Sequence, residues 1–258
     1  MNKTSLAKKA AANMAADFVE DGMVVGLGTG STAELAVKRL GGRVSTGLRI
    51  RGVPSSVAIE KLARREGIDV IPYEDFLKEN IIYDNIPLEA LENPQNFQKN
   101  FLKKHTPIDI TIDGADRVGP TFDLIKGGGG AHVREKVVAN ASKLFYVVVD
   151  ETKMVKNLAS SFPVAVEVSG DSVEEVKKKL AKYGDVTLRH REGKVFISDN
   201  SNYILDVSLR VGEPIVRLEV DLNSIPGVID NGLFTLRKPD RVFVGHFDGR
   251  VEIVEGTQ

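Results

Sequence analysis

Apolar residues recur at helical spacing along the first twenty positions. Leu6, Ala10, Met14 and Val19 fall near one face and Asp21-Gly22 closes the segment, which predicts a helix over 4–20. The pattern then changes. "MVVGLGTGSTAELAVKRL" opens on the continuous apolar run of a parallel strand buried on both faces, passes through glycines, and resumes helical spacing from about Ser31. The alternation repeats. "LRIRGVPSS" reads as a strand with a small polar exit, "SVAIEKLARREG" as a helix, "DVIPYEDF" as a third strand and its exit, and "IDITIDGAD" as a fourth strand. "GAHVREKVVANAS" follows as a helix and "KLFYVVVDE" as a fifth strand. Strands alternating with helices imply a Rossmann-like α/β domain with a mostly parallel sheet.

After about residue 160 the rhythm shifts. "FPVAVEVS" is a strand, "SVEEVKKKLAKYG" a charged helix, and two strands surround "LRHREGKVFISDNSNYILDVSL"; a helix near 214–224 and a strand near 228–234 complete the set. That β-α-β-β-α-β order is the split pattern of a second, smaller ferredoxin-like α+β domain. The final "RVFVGHFDGRVEIVEG" reads as a hairpin returning to the large domain. The expected division is therefore 1–160 plus 235–258 for the catalytic domain and 161–234 for the small one. Residues 77–106 exceed an ordinary strand-to-helix connection and are expected to form an insertion with short helices.

Composition narrows the chemistry. The 258 residues carry 35 basic and 36 acidic side chains, so no overall field favours nucleic acid or a membrane surface. The lysine run at 177–179 reads as the solvated face of its helix. Cysteine is absent, which removes disulfides and thiolate chemistry and fits a reducing, cytoplasmic setting. The N-terminal stretch lacks the apolar region of a signal peptide, and no segment approaches the roughly 20 apolar residues of a membrane span. The four histidines, at 105, 132, 190 and 246, never stand four apart, so no metal site is expected.

Three stretches carry candidate chemistry. "GLGTGSTA", Gly26 to Ala33, places glycines, Thr29, Ser31 and Thr32 at a helix start, where unpaired amides and the positive dipole end receive a phosphate. A tight turn capped by Ser31 is the plainer reading. A dinucleotide site fits less well: Ser31 stands at the third glycine position, the second strand ends without an acidic residue, and no Walker lysine follows. Asp113 and Asp116, in "TIDGAD", end an apolar strand at the sheet edge where α/β folds bind ligands; an Asx-type turn is the alternative. "IKGGGGAHVREK" then supplies Lys126, a loop of amides, and Glu135 early in a helix. Glu135 reads either as a base or as a dipole-favoured charge satisfied by Arg134 and Lys136.

"GLGTGSTA", "DGAD", "KGGGGAHVREK" and "DETK" occur in an order and at spacings that closely resemble the type A ribose-5-phosphate isomerase family, and "FPVAVEV" and "IPGVIDNGLF" extend the likeness through the second half. The resemblance implies isomerisation of D-ribose 5-phosphate to D-ribulose 5-phosphate in the pentose phosphate pathway, without cofactor or metal, by a homodimer or homotetramer. It implies that Thr29, Gly30, Ser31 and Thr32 line the phosphate end, with Lys8 reaching it as well. Asp113, Gly114, Ala115, Asp116, Lys126 and Gly127, Gly128 and Gly129 would contact the sugar. Glu135 matches the family's base, and Lys153, in "DETK", its later substrate-binding lysine. One departure stands out: the family pattern continues "DGADE", whereas Arg117 follows Asp116 here.

Such a reaction moves a proton from C2 to C1 through an enediolate, so it needs a carboxylate base, with Glu135 in that role, and charge stabilisation, from Lys126 or nearby amides. Asp113 and Asp116 would orient hydroxyls and assist ring opening. Desolvation that raised the base toward neutrality would favour the transfer. The rival readings are a non-catalytic sugar-phosphate regulator on the same fold, another sugar-phosphate enzyme or a CoA transferase of the wider superfamily, and, more distantly, a dinucleotide-dependent oxidoreductase.

Overall fold

The structure is a computed structural model that describes residues 2–80, 107–159, 162–210 and 215–255. In chain order it begins with α1 (Lys3–Ala16), β1 (Val24–Leu27), α2 (Ala33–Val44), β2 (Arg51–Pro54), α3 (Val57–Arg65), β3 (Asp69–Val70), α4 (Tyr73–Asn80) and β4 (Ile108–Asp113). Next come β5 (Arg117–Val118), β6 (Leu124–Ile125), α5 (His132–Asn140), β7 (Ser142–Asp150), a 3-10 turn at Glu151–Lys153, β8 (Val164–Val168), α6 (Val173–Leu180) and β9 (Gly184–Leu188). The chain closes with β10 (His190–Arg191), β11 (Lys194–Val195), β12 (Tyr203–Leu209), α7 (Ile215–Asn223), β13 (Val228–Asn231), β14 (Leu233–Phe234), β15 (Arg241–Gly245) and β16 (Val251–Glu255). No described helix is long and apolar enough to cross a membrane.

The chain divides into two compact units, one of residues 1–114, 135–151 and 239–258, the other of residues 115–134 and 152–238. The first holds a seven-stranded sheet in the order β16-β15-β7-β4-β1-β2-β3. All its neighbours run parallel except the β15–β16 pair, which forms the expected terminal hairpin. Strand order reverses at β1, with β2 on one side and β4 on the other. A doubly wound sheet opens a crevice beyond its strand ends at such a switch point. The core is Val25 and Leu27 of β1, Ile110 and Ile112 of β4, Val148 and Phe243, all nearly inaccessible. Burial of each side chain of this size contributes roughly 1.5–3 kcal/mol, so the strands that frame the switch point are firmly held.

Helix α2 follows its sequence pattern: Ala33, Ala36, Val37, Leu40 and Gly41 are buried at helical spacing. Helix α1 does not. Leu6 and Met14 are exposed, and the buried side is Ala7, Ala11, Ala12, Ala15 and Ala16. The reason is closeness: a Cβ added to Gly245 of β15 would fall 1.9 Å from the Ala7 carbonyl, so only small residues let this helix lie on the sheet. Asn2 caps it, its side chain accepting from the Ser5 amide at 2.7 Å.

The second unit holds a four-stranded antiparallel sheet in the order β13-β8-β12-β9. With α6 after β8 and α7 after β12, this is the ferredoxin-like arrangement expected from the sequence, and Val164, Val166, Leu205, Val207, Leu218 and Leu222 fill its core. A small sheet β14-β6-β5 accompanies it. The strand expected across "DVIPYEDF" is only Asp69–Val70, because the helix α4 begins at Tyr73 and runs through Leu77 to Asn80. The rest of the expected insertion, residues 81–106, lies outside the described residues.

Candidate active site

Beyond the carboxyl end of β1 the chain makes the turn Gly28–Thr32 and enters α2. Register sets its neighbour: Leu27 pairs with Ile112, so Gly28 lies beside Asp113 at the end of β4. Asp113 is 1% exposed, and its Oδ1 accepts from the Thr29 amide at 3.0 Å and the Gly114 amide at 2.7 Å. A Cβ on Gly28 would meet that oxygen at 2.2 Å, so the first glycine of the turn is the space the aspartate occupies. Gly30 has a different reason for being glycine. Its φ of +105 lies in the left-handed region, and open space surrounds its Cβ position.

The Thr29 hydroxyl donates to Ser56 Oγ at 2.9 Å and lies 2.8 Å from Ser55 Oγ. Both serines are buried just after β2, and Ser56 also accepts from the Ile59 amide at 3.2 Å, capping α3. Thus Thr29 is bound through both its amide and its hydroxyl to the scaffold of the turn. Ser31 faces outward: it is exposed, and its Oγ accepts from Lys8 Nζ at 2.9 Å. An ammonium group, a hydroxyl and the N-terminal end of α2 therefore share one corner of the first unit, the combination that receives an anion. Thr32, the N-cap residue of α2, is buried. Sequence reasoning found this turn but gave no role to Ser55 and Ser56; their signal was two hydroxyls directly after an apolar strand.

Glu135 also belongs to the first unit. It stands in the first turn of α5 and is 4% exposed, flanked by the buried Arg134 and Lys136, so the alternative reading, a charge satisfied by those two residues, does not place it at the surface.

The second unit carries the remaining candidates. After Gly114 and Ala115 the chain enters the β5–β6 hairpin, which the sequence did not reveal. The Asp116 amide donates to the Ile125 carbonyl at 2.9 Å, and Asp116 Oδ2 accepts from the Gly128 amide at 2.7 Å. A Cβ on Gly128 would approach that carboxylate to 2.6 Å. Gly127 and Gly130 adopt φ of +97 and +83, so the glycine run is a wound turn rather than a slack loop, and the Gly130 amide closes it on the Gly127 carbonyl at 3.0 Å. Lys126 is 2% exposed; its amide donates to the Gly232 carbonyl at 2.8 Å and its Nζ lies 5.6 Å from the centre of the buried Phe234 ring. Gly129 is exposed, and Lys153 is half-buried at the end of the 3-10 turn after β7.

Arg117, the departure noted in the sequence, turns back on the chain. It donates to the carbonyl of Asp116 itself at 2.6 Å, and its guanidinium lies 5.2 Å from the Phe162 ring centre. Its charge is thereby engaged with backbone and ring.

The doubly wound sheet and the turn beyond its switch point define the class: an α/β protein with an anion-receptive turn and a buried carboxylate at a helix start. Comparison with known proteins carries this further. The family model described as ribose 5-phosphate isomerase A (phosphoriboisomerase A) matches residues 89–249. A ribose-5-phosphate isomerase A of Natronomonas pharaonis is 41% identical over 250 residues, covering 95% of this chain and 96% of its own. The structure of ribose 5-phosphate isomerase A from Methanocaldococcus jannaschii aligns with a TM-score of 0.79 and 36% identity, covering 96% of this chain and 97% of its own. A D-ribose-5-phosphate isomerase in complex with phospho-erythronic acid aligns at 0.82 and 34% identity, covering 99% of this chain and 100% of its own. The chain belongs to the ribose 5-phosphate isomerase A family.

Proposed function

We propose that this protein interconverts D-ribose 5-phosphate and D-ribulose 5-phosphate, with Glu135 as the proton carrier. The observation that carries the reading is a buried carboxylate in the first turn of α5, in a chain whose relatives over nearly its full length bear the isomerase name. The relative bound to phospho-erythronic acid, a phosphorylated sugar acid, supports the substrate class.

In this reading the phosphate is received by the Gly30, Ser31 and Thr32 segment and Lys8, while Thr29, tied to Asp113, Ser55 and Ser56, holds the turn in shape. Fixing the phosphate positions the reacting carbons and removes much of the entropic barrier. Glu135 takes the proton from C2 of the open-chain aldose; the C2–H electron pair becomes the C1–C2 double bond and the C1 carbonyl oxygen gains the charge. The O2 proton then passes to the C1 oxygen, moving the charge to O2, and as the C2 carbonyl forms the electron pair of the C1–C2 double bond takes the proton back from the same carboxyl group at C1, which gives the ketose. Lys126 and the amides of Gly127, Gly128 and Gly129 stabilise the oxygen charge, because fixed dipoles and cations act most strongly away from water. Asp113, Gly114, Ala115, Asp116 and Lys153 orient hydroxyls, the two aspartates also assisting ring opening. The family resemblance extends the proposal to a cytoplasmic homodimer or homotetramer that needs no metal or cofactor.

The direct test is formation of ribulose 5-phosphate from ribose 5-phosphate in EDTA. Sustained turnover is expected. Binding without turnover would favour the regulator reading, and turnover that stops with EDTA and returns with a divalent ion would overturn the metal-free mechanism.

A further inference from the structure

A single peptide of the glycine turn is gripped from both ends. In a trans peptide the carbonyl and the N–H point in opposite directions, so partners on the two sides fix the plane between them. For the peptide joining Gly127 to Gly128, the N–H donates to Asp116 Oδ2 at 2.7 Å, and the carbonyl accepts from Arg189 Nη1 at 2.6 Å. Arg189 is itself anchored. Its Nε donates to Asp206 Oδ2 at 2.8 Å, its Nη2 pairs with the other carboxylate oxygen of Asp206, and its side chain is 10% exposed.

We propose that Arg189, held by Asp206, is a positioning residue for Asp116, acting through the Gly127–Gly128 peptide. The inference rests on the reading of Asp116 as a group that orients substrate hydroxyls. Every partner in the chain lies in the second unit: Asp206 on β12, Arg189 just after β9, the glycine turn after β6, and Asp116 just before β5. A guanidinium on the carbonyl polarises the peptide and makes its N–H a stronger donor, because linked hydrogen bonds reinforce one another. The result is a carboxylate fixed in rotation, with its Oδ1 aimed by the bond at Oδ2. Only arginine suits the position, since its planar fork engages Asp206 with two nitrogens while a third reaches Gly127; a lysine has no such fork. Glycine at 127 and 128 serves the same end. The φ of +97 at Gly127 turns the carbonyl toward Arg189, and the missing side chain at Gly128 admits Asp116.

The test is a double-mutant cycle on ribose 5-phosphate turnover with Arg189→Gln and Asp116→Asn. Arg189→Gln alone is expected to lower kcat about tenfold with KM within about threefold, because it disorders a group that acts on the transition state. In the Asp116→Asn background the same change should alter kcat less than about twofold, since the group it positions is already lost. A purely structural arginine would act equally in both backgrounds, and that result overturns the proposal, as does a folded Arg189→Gln with wild-type kcat. If Arg189→Gln does not fold, Asp206→Asn loosens the same fork: a kcat loss of at least about threefold that vanishes beside Asp116→Asn supports the proposal, and an unchanged kcat overturns it. An active Asp116→Asn would show that the role read for Asp116 has failed, whereas an impaired Asp116→Asn with an undiminished Arg189→Gln would remove Arg189 alone.

Discussion

Gly28 shows how much of a site one missing methyl group decides. The Asp113 carboxylate occupies the volume a side chain would need, and from there it holds the Thr29 and Gly114 amides. Gly28→Ala must displace either the aspartate or the strand end, and a forced contact of this kind typically costs about 1–3 kcal/mol. The expected outcome is that loss in urea unfolding, together with a fall of about tenfold or more in kcat/KM as the turn loses its shape. Wild-type stability and activity would show that Asp113 does not depend on the space. Such details were partly legible: glycines before a helix and aspartates after an apolar strand have physical signatures within a few residues. The bonds of Thr29 to Ser55 and Ser56, and of Arg189 to Gly127, were not, because they join positions 26, 27 and 62 residues apart that no local pattern connects.

Among the elements, the three strands at one side of the large sheet are tied beyond their ends by His246. This residue follows β15; its Nδ1 lies 2.6 Å from Glu151, which follows β7, and its Nε2 lies 3.3 Å from Glu252 of β16. The hydrogen bond to Glu151 is the main reason the imidazole holds its proton to higher pH than usual, with Glu252 adding to it against partial desolvation and the nearby Arg250. A folded-state pKa raised above the unfolded value of about 6.5 means that the contribution to stability is complete below that value and is lost as pH rises through the raised one. His246→Gln should therefore lower Tm at about pH 6 and do so progressively less as the pH is raised toward about 9 and the wild-type histidine gives up its proton. Equal losses at both pH values would mean the charged pairing contributes nothing. At this scale the sequence served well for long apolar strands and poorly for short ones. The two-residue strands of the β5–β6 hairpin are too brief for a periodic signal, and α1 buried its alanines because close packing on Gly245 outweighed the larger apolar area of Leu6 and Met14.

For the molecule as a whole, the order of strands and helices was enough to give a doubly wound sheet and a ferredoxin-like unit, since each follows from alternation and short connections. The unit boundaries at Gly114, Arg134 and Glu151 were less accessible, because they fall inside the motifs and not in linkers that composition would mark. The central claim is chemical and concerns one side chain. Turnover of ribose 5-phosphate by Glu135→Gln, measured beside the wild type, tests it most directly. The account predicts a fall in kcat of roughly 100-fold or more with KM within a few-fold, as removal of a base requires. Turnover at the wild-type rate would contradict it and take Glu135 out of the reaction.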